Sequence, residues 1–258
     1  MPRRRQRMTA AGLAMVMAAG CAPAALPLSP HAAASPEVAR IKVGKGTNAF
    51  VVMGERPILV DTGWGRSTKK LERGLARLGV DPRALALIVL THGHGDHAGG
   101  ASRMRALSGA KVLAGRGDLE MLEAGHDRPL RPMGLLARAL RPFSDLPFPP
   151  ITPDILIDSP FDLKPYGVEG TVVLVPGHTP GSLAVVLASG DAIVGDMLRG
   201  GTLSPHAPAR HFFHDDCRAA EAHIAPLVDA GSKRLFVGHG GPLDGPTAKS
   251  KLTGAGCR

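Results

Sequence analysis

Aromatic side chains and clustered positive charge are scarce in this sequence. Phe, Trp and Tyr together make up 3% of its 258 residues. The formal net charge is +9, yet no run of five or more Lys or Arg residues occurs after residue 20. Nucleic-acid surfaces combine clustered bases with stacking rings. The sequence therefore predicts no nucleic-acid partner, and its mild basicity is compatible with an anionic substrate or a membrane surface.

Cysteine is also scarce, with one residue near the start of the chain and two near its end: Cys21, Cys217 and Cys257. A chain of this length with 44% hydrophobic residues can bury a sizeable core, so an exported form need not depend on disulfides. The last two cysteines could pair across the C-terminal segment or remain two small unpaired side chains. The sequence leaves both options open, because pairing depends on geometry.

No apolar run in the N-terminal segment is long enough to span a bilayer. Residues 10–20 form an uncharged stretch of 11 residues behind four arginines, which is the pattern of a signal peptide. Cleavage before Cys21 would give a lipoprotein, and cleavage after Ala34 is the alternative. We expect a signal peptide over 1–20, a linker over 21–36 and one domain over 37–258. The protein is thus predicted to be bacterial and exported, either periplasmic or attached to a membrane through lipidated Cys21.

The most informative segment is residues 91–97, with the sequence THGHGDH. It follows an apolar run, Ala86–Leu90, that predicts a buried strand. The segment holds three imidazoles and one carboxylate: His92, His94, Asp96 and His97. The first two are two positions apart, so at the end of an extended strand they point the same way. Divalent metals of borderline and harder character prefer such nitrogen and oxygen ligands, so this pattern predicts a metal site.

Three further apolar runs each end at a glycine beside one more candidate ligand. These candidates are His178 after residues 171–175, Asp196 after residues 191–194 and His239 after residues 234–237. Glycine lets the backbone turn tightly and leaves room for an ion. Functional side chains are commonly carried on loops that a rigid sheet holds in place. The sequence therefore predicts one metal centre built from the ends of four strands.

These motifs, in the order HxHxDH, PGHTPGS, GD and GH, resemble the metallo-β-lactamase-fold hydrolase superfamily over roughly residues 41–243. The resemblance implies an α/β fold, a single-domain four-layer αββα sandwich with a two-metal cleft along one edge of its sheets. It also implies how seven residues divide between the ions. One ion would be held by His92, His94 and His178, the other by Asp96, His97 and His239, with Asp196 bridging both.

The resemblance further implies a metal-dependent hydrolase, with zinc as our first choice and iron or manganese as alternatives. Two ions would lower the pKa of a shared water from about 15.7 towards neutrality and so supply a hydroxide for attack on a carbonyl or phosphorus. Asp96 is the predicted catalytic residue that takes or returns a proton. A carboxylate at the position of Asp61 commonly supports the ligands in this family. Asp61 is therefore predicted to orient a ligating imidazole, with a simple turn residue as the alternative.

Asp196 narrows the substrate class. Zinc β-lactamases of the family typically use Cys or Ser nearby instead, whereas Asp-bridged members are glyoxalase II, lactonases and related esterases. Only 19 residues follow His239, too few for the glutathione-binding region of glyoxalase II. We predict a small ester, lactone or thioester substrate. The alternatives are a mononuclear iron persulfide dioxygenase using His92, His178 and Asp196, and a β-lactamase or phosphodiesterase.

Two segments outside the motifs bear on the cleft. The proline-rich residues 127–153, with a short helix predicted over 133–140, are expected to form a lid or substrate loop, or else a passive surface excursion. His206, His211 and His214 form a second histidine group. A plain surface role is favoured for these three, then substrate contact at the cleft rim, and a third metal site least.

Hydrophobic periodicity and capping residues predict the remaining elements. Helices are expected over 67–78, 97–107, 118–124 and about 215–231. Strands are expected over 47–53, 57–61, 111–114, 155–157, 171–175, 183–187 and 192–194, in addition to the runs that end in the metal motifs.

Overall fold

A computed structural model of the chain describes residues 37–44, 46–144, 146–252 and 257. The predicted signal peptide, the linker and both candidate cleavage sites lie outside the described residues. Within the described ranges, no helix combines the length and apolar character needed to cross a bilayer.

The first half of the chain forms a six-stranded sheet. Its strands are β1 Glu37–Lys42, β2 Asn48–Met53, β3 Ile58–Val60, β4 Leu87–Val89, β5 Lys111–Gly115 and β6 Ile155–Ile157. Their spatial order follows the chain, antiparallel from β1 to β3 and parallel from β3 to β6. Strand β4 therefore lies inside the sheet, and the loop that carries residues 91–97 leaves from its interior.

The second half supplies eight further strands. These are β7 Phe161–Asp162, β8 Gly170–Leu174, β9 Leu183–Leu187, β10 Asp191–Gly195, β11 Arg199–Gly200, β12 Pro208–Ala209, β13 Arg234–Val237 and β14 Leu243–Asp244. Six of them form a sheet in the order β14-β13-β10-β9-β8-β7, while β11 and β12 pair separately. Strands β10 and β13 are parallel neighbours, so the residues that follow them leave the sheet side by side.

Within the described residues, seven α-helices accompany the sheets. They are α1 Thr68–Arg77, α2 Gly95–Ala98, α3 Ala101–Ser108, α4 Leu119–Ala124, α5 Leu135–Leu140, α6 Cys217–Asp229 and α7 Gly245–Leu252. The prediction of one continuous helix over 97–107 is wrong, because α2 and α3 are separate. The His97 carbonyl accepts hydrogen bonds from the Thr62 backbone N–H and Oγ1, both at 2.7 Å, instead of continuing the helix. The break fixes the backbone of the metal motif.

Three apolar layers hold the four layers of secondary structure together. On one outer side Val51, Leu59 and Ile88 pack with Leu71 and Leu75 of α1. Alternate residues of the same strands face the second sheet, where Phe50 and Val60 share a core with Val185 and Phe236. A third core joins the second sheet to α6 and α7 through residues such as Val194, Ile224 and Ala248. This arrangement confirms the predicted αββα sandwich.

Three elements near the chain's ends have no counterpart in the sequence prediction. Strand β1 reads as polar and buries only Ile41, because it lies at the edge of its sheet. Strand β14 and helix α7 follow the last metal motif. Their sequence has no periodic pattern of apolar residues that would have predicted them. These additions leave the site's position unchanged.

Candidate metal centre

Backbone hydrogen bonds join the two sheets where the motif loops meet. The Leu183 N–H donates to the Thr91 carbonyl at 2.7 Å, and the Asn48 N–H donates to the Gly238 carbonyl at 2.8 Å. The first bond joins the loop after β4 to the start of β9, and the second joins β2 to the loop after β13. All seven predicted ligands lie on loops or helix ends beside these junctions.

The first group of candidate donors contains His92, His94 and His178, which we call the three-histidine cluster. Their donor nitrogens lie within 4.8 Å of one another. His178 Nε2 is 3.1 Å from His94 Nδ1. All three side chains are buried. The geometry is that of a site for one divalent ion held by nitrogen ligands.

The second group contains Asp96, His97, Asp196 and His239, which we call the Asp–His cluster. His239 Nε2 lies 3.1 Å from Asp96 Oδ2 and 3.2 Å from Asp196 Oδ2. His97 Nε2 lies 3.4 Å from the same Asp196 oxygen. Asp96 and His239 keep 19% and 25% of their side-chain surface exposed, so this cluster is the more open of the two.

Asp196 Oδ2 is the atom at which the two clusters meet. Besides its neighbours in the Asp–His cluster, it lies 3.9 Å from His92 Nε2 and 3.8 Å from His178 Nε2. The family resemblance implied a bridging position for Asp196, and in the structure this residue lies between the two clusters.

Several buried polar atoms in the centre lack a hydrogen-bond partner among the described residues. In the described part of the chain, His92 Nε2, His97 Nε2 and Asp196 Oδ1 make no hydrogen bond. A Cβ atom on Gly238 would lie 2.1 Å from Asp196 Oδ1, so the glycine leaves this space open. Buried polar atoms normally have partners. Unpaired nitrogen and oxygen donors that converge in this way fit divalent metal ions.

Two members of the three-histidine cluster, His92 and His178, favour the neutral imidazole. Burial lowers the pKa of His92, and the neighbouring His97 and His94 lower it further. Burial likewise lowers the pKa of His178, with added repulsion from His92. Neutral imidazole is the form that binds a metal.

The Asp–His cluster has the opposite electrostatic balance. Burial opposes a charge on His97, but Asp196, Asp96 and Asp61 together raise its pKa well above the ordinary value. Burial also opposes a charge on His239, and Asp196 and Asp96 outweigh it to raise this pKa to about 10. The carboxylates of the cluster are therefore paired with charged imidazoles in the metal-free protein.

Asp61 lies directly beneath the centre. Its Oδ2 is 2.8 Å from His97 Nδ1, and it accepts hydrogen bonds from the Thr91 backbone N–H and hydroxyl. The Thr91 hydroxyl in turn lies 3.0 Å from His92 Nδ1. Asp61 has a φ of 62°, an unusual value for a residue other than glycine, so its backbone is strained at this position. Asp61 therefore contacts one candidate ligand, His97, directly and a second, His92, through Thr91.

Asp118 is a supporting residue that sequence reasoning missed. Its carboxylate accepts hydrogen bonds from the backbone N–H groups of Gly93 and Gly181, both at 2.8 Å, and from the Thr179 hydroxyl at 2.7 Å. Burial raises its pKa. Because Gly93 lies between two candidate ligands and Thr179 follows His178, this carboxylate joins the two loops of the three-histidine cluster. Its place at the start of a helix carried no signal of that role.

The second histidine group divides once the chain is folded. His206 is exposed, as predicted, whereas His211 and His214 are buried, so the prediction of plain surface histidines is wrong for these two. His211 Nε2 reaches within 3.1 Å of Asp196 Oδ2. Burial lowers the pKa of His211 to about 4 and that of His214 to about 3. No apolar strand precedes this group, so the sequence pattern did not predict that His211 and His214 lie beside the metal clusters.

A cleft of about 1050 Å³ opens beside the clusters. Its walls are largely apolar and include Trp64, Leu130, Leu136, Leu140, Leu146 and Phe212. Helix α5 and the residues around it supply much of this lining, so the proline-rich segment borders the cleft and is not a passive excursion. Basic side chains also line the cleft, among them Arg199, whose guanidinium lies 3.9 Å over the Phe212 ring.

Cys217 and Cys257 form a disulfide with their Cα atoms 5.8 Å apart. The sequence left open whether these two cysteines pair or remain free, and in the structure they are paired. Cys217 begins α6, and the preceding Asp216 N–H donates to the Gly177 carbonyl at 2.8 Å. The disulfide therefore ties residue 257 to the helix beside the PGHTPGS turn.

Comparisons with known proteins agree with this architecture. A sequence profile described as the metallo-beta-lactamase superfamily matches residues 43–239. The chain is 26% identical over 232 residues to the probable metallo-hydrolase YflN of Bacillus subtilis, covering 79% of this chain and 84% of that protein. It is 31% identical over 115 residues to a hydroxyacylglutathione hydrolase of Cereibacter sphaeroides, covering 44% and 34%. A HARLDQ-motif mutant of a metallo-beta-lactamase from Cronobacter sakazakii superposes with a TM-score of 0.54 at 25% identity, covering 80% of each chain.

Proposed function

The chain belongs to the metallo-beta-lactamase superfamily, and on that premise we propose that it is an exported hydrolase with two divalent ions that cleaves a small ester, lactone or thioester. Its nature as a metal-dependent hydrolase follows from the family and from relatives named as metallo-hydrolases. The two-ion centre, the substrate class and export are our proposal.

The convergence of both clusters on Asp196 Oδ2 is the observation that carries the two-ion proposal. Imidazole nitrogens from both clusters lie between 3.2 and 3.9 Å from this oxygen. A carboxylate between two cations offsets their mutual repulsion, which supports Asp196 as the bridge. One ion would be held by His92, His94 and His178, and the other by Asp96, His97 and His239.

Two bound ions would supply a water of lowered pKa and polarise the oxygen of the bond to be cleaved. Among the chain's own residues, Asp96 is our candidate for holding a proton during the reaction. It lines the cleft, and its Oδ2 lies 3.1 Å from His239 Nε2 and 3.4 Å from the Thr47 hydroxyl. Burial opposes its ionisation, but His97 and His239 outweigh burial and hold its pKa below the ordinary range, so without metal the group is in its carboxylate form.

The cleft supports a substrate with an apolar acyl part. Leu136, Leu140 and Phe212 offer contacts for such a group, while the clusters at the base would face the ester or thioester bond. The local match to a hydroxyacylglutathione hydrolase also favours acyl transfer to water, although it spans 34% of that enzyme. A β-lactam is the second candidate, because the solved structures with this fold include metallo-beta-lactamases.

Export is supported by the N-terminal sequence and by the disulfide. Disulfides persist in oxidising compartments such as the bacterial periplasm. A Cys21→Ser variant tests the lipoprotein form, because loss of the lipid should move the protein from the membrane fraction to the soluble periplasmic fraction. If wild type is already soluble and begins at Ser35, cleavage after Ala34 replaces lipidation.

Metal analysis combined with a substrate panel tests the proposed activity. Wild type, with Asp96→Asn as the matched variant, is assayed on an aryl ester, an acyl lactone, a thioester, a phosphodiester and a cephalosporin, with and without chelator. We expect two ions per chain and ester, lactone or thioester hydrolysis that chelation abolishes and zinc restores. Asp96→Asn should lose a larger fraction of the wild-type activity than of the wild-type metal content.

Three results would replace this proposal. Cephalosporin turnover with kcat/KM near or above about 10⁴ M⁻¹s⁻¹ would indicate a β-lactamase. A single iron per chain with oxygen consumption on a persulfide would indicate a dioxygenase. Hydrolysis that chelators leave unchanged would refute the metal-dependent mechanism.

A further inference from the structure

His211 lies inside the candidate centre although it belongs to none of the metal motifs. Its side chain is 9% exposed, and its Nε2 lies 3.1 Å from Asp196 Oδ2. The donor atoms of His178, Asp196 and His211 form a third converging set, within 4.8 Å of one another. The ring is 4.8 Å from the His178 ring and stacks against His239 at 5.5 Å, measured between centroids.

The segment that carries His211 is fixed by backbone hydrogen bonds on both sides. The Met133 N–H donates to the Phe212 carbonyl at 2.7 Å, and the His214 N–H donates to the Arg131 carbonyl at 3.3 Å. The Asp215 N–H donates to the His178 carbonyl at 3.1 Å. The segment is thereby held between the proline-rich cleft wall and the PGHTPGS turn, so the position of His211 is built into the fold.

One backbone carbonyl orients two imidazoles. The Phe213 oxygen lies 2.8 Å from His178 Nδ1 and 3.2 Å from His211 Nδ1. A carbonyl oxygen has two lone pairs and can accept a hydrogen bond from the N–H of each ring. Metal-binding histidines commonly donate their second ring N–H to such an acceptor, which leaves the other nitrogen for the ion. His211 and the family ligand His178 are thus held by the same atom and present Nε2 to the same place.

A competing arrangement is also built into this turn. The Phe213 N–H lies 3.3 Å from His211 Nδ1, and donation along that contact would put the ring proton on Nε2, facing Asp196. However, a carboxylate oxygen has two lone pairs, and Asp196 Oδ2 uses both if it bridges two ions. A proton on His211 Nε2 would then have no acceptor at that oxygen. The Nδ1-protonated form is the one consistent with a bridged centre.

We propose that His211 is an eighth protein ligand, binding through Nε2 the ion that His178 and Asp196 share. The proposal rests on the two-ion centre proposed above. It would give that ion five protein donors: His92, His94, His178, Asp196 and His211. Catalytic zinc sites usually have three protein ligands, so a set of five would favour ions that accept a higher coordination number.

The test compares His211→Ala with His214→Ala. His214 is a matched control because it is buried in the same segment, yet among the described residues it joins no converging donor set. Zinc affinity is measured by competition with a chromophoric chelator, and folding by circular dichroism of the metal-free proteins. Loss of a supporting residue typically costs 10–100-fold in affinity, so loss of a ligand should weaken one of the two ions by at least about tenfold. His214→Ala should bind both ions as wild type does.

A second pair, His211→Cys and His214→Cys, detects the bond directly and covers the case in which His211→Ala fails to fold. Cobalt bound to a thiolate shows a sulfur-to-metal charge-transfer band in the near ultraviolet. We expect the band in His211→Cys and in neither His214→Cys nor wild type. If wild type binds no metal, the two-ion centre itself fails. If wild type binds two ions while His211→Ala has unchanged affinity, or His211→Cys binds cobalt without the band, the eighth ligand is refuted and the proposed function stands.

Discussion

The three-histidine cluster and the Asp–His cluster share one bridging candidate, Asp196, yet they place histidine in opposite electrostatic environments. In the first, His92 and His178 are buried among other imidazoles, and their pKa values fall below the ordinary value. In the second, His97 and His239 face carboxylates, and their pKa values rise. Burial lowers the pKa of all four imidazoles, so the difference between the clusters comes from the neighbouring charges.

The clusters also differ in access. All three residues of the three-histidine cluster are buried, whereas Asp96 and His239 in the other cluster are partly exposed. The Asp–His cluster is thus both the more open site and the one whose imidazoles must lose protons when a metal binds. Substitutions and pH should separate the two clusters experimentally.

The largest effect is expected from Asp196→Ala, which removes the atom common to both clusters. Both ions should be lost or strongly weakened, and turnover should fall by more than about 100-fold, since even loss of an outer supporting residue costs 10–100-fold. Metal content per chain and kcat/KM measure this. Asp191→Ala is the control, because Asp191 is a buried carboxylate at the opposite end of β10 that pairs with Arg234. Full metal content in Asp196→Ala would show that the two clusters do not share a bridge.

Single substitutions in each cluster should separate the ions. His94→Ala should weaken the ion of the three-histidine cluster, and His239→Ala the ion of the Asp–His cluster. Each variant should keep the other ion, because every donor of the other cluster is untouched. Calorimetric titration of the metal-free variants would resolve the two binding events. If wild type binds a single ion at saturation and His97 and His239 do not bind it, the Asp–His cluster is not a second metal site.

Substitution of the two supporting carboxylates, Asp61 and Asp118, should have smaller effects, and each should weaken a different ion. Asp61→Asn should weaken the Asp–His cluster more, because Asp61 contacts His97 directly and His92 only through Thr91. Asp118→Asn should weaken the three-histidine cluster, whose two loops it joins. Each change should cost about 10–100-fold in affinity for the corresponding ion. Equal losses at both ions in both variants would mean that the supports are not separate.

The mildest test is pH. The raised pKa values of His97 and His239 mean that both are protonated at neutral pH without metal, and an ion must displace those protons. Affinity at the Asp–His cluster should therefore rise with pH up to the His239 pKa of about 10. The slope should be about tenfold per pH unit for each proton released. The three-histidine cluster should change little above neutrality, because the lowered pKa values of His92 and His178 leave those rings already neutral.

Calorimetry of His94→Ala and His239→Ala in buffers of different ionisation enthalpy counts the released protons. Release should be greater in His94→Ala, which retains the Asp–His cluster. Equal release in the two variants would contradict the electrostatic difference between the clusters.

The residues of the metal motifs could be predicted because each follows a short apolar strand that local periodicity reveals. The structure brings all seven into adjoining clusters, together with Asp61. His211 and Asp118 could not be found in this way. Each reaches the centre through contacts with residues far away in sequence, such as Asp196 and Gly181, and a local pattern does not encode those contacts.

The same distinction explains the errors in the fold. Strands with a continuous apolar run, such as β4 and β13, were predicted, whereas the polar edge strand β1 was not. The helix expected over 97–107 is interrupted because Thr62, in the loop after β3, donates hydrogen bonds to the His97 carbonyl. Long-range hydrogen bonds overrode local propensity at these points.

The carboxylate of Asp118 has a consequence for how the protein acquires and exchanges its ions. It ties Gly93 to Gly181 and Thr179 through hydrogen bonds that need no metal, so the loops of His92, His94 and His178 are already held together when an ion arrives. We therefore expect ions to bind reversibly to the chain after it has folded. One divalent ion could then replace another without refolding, and the supply in the protein's compartment would decide which ion it carries.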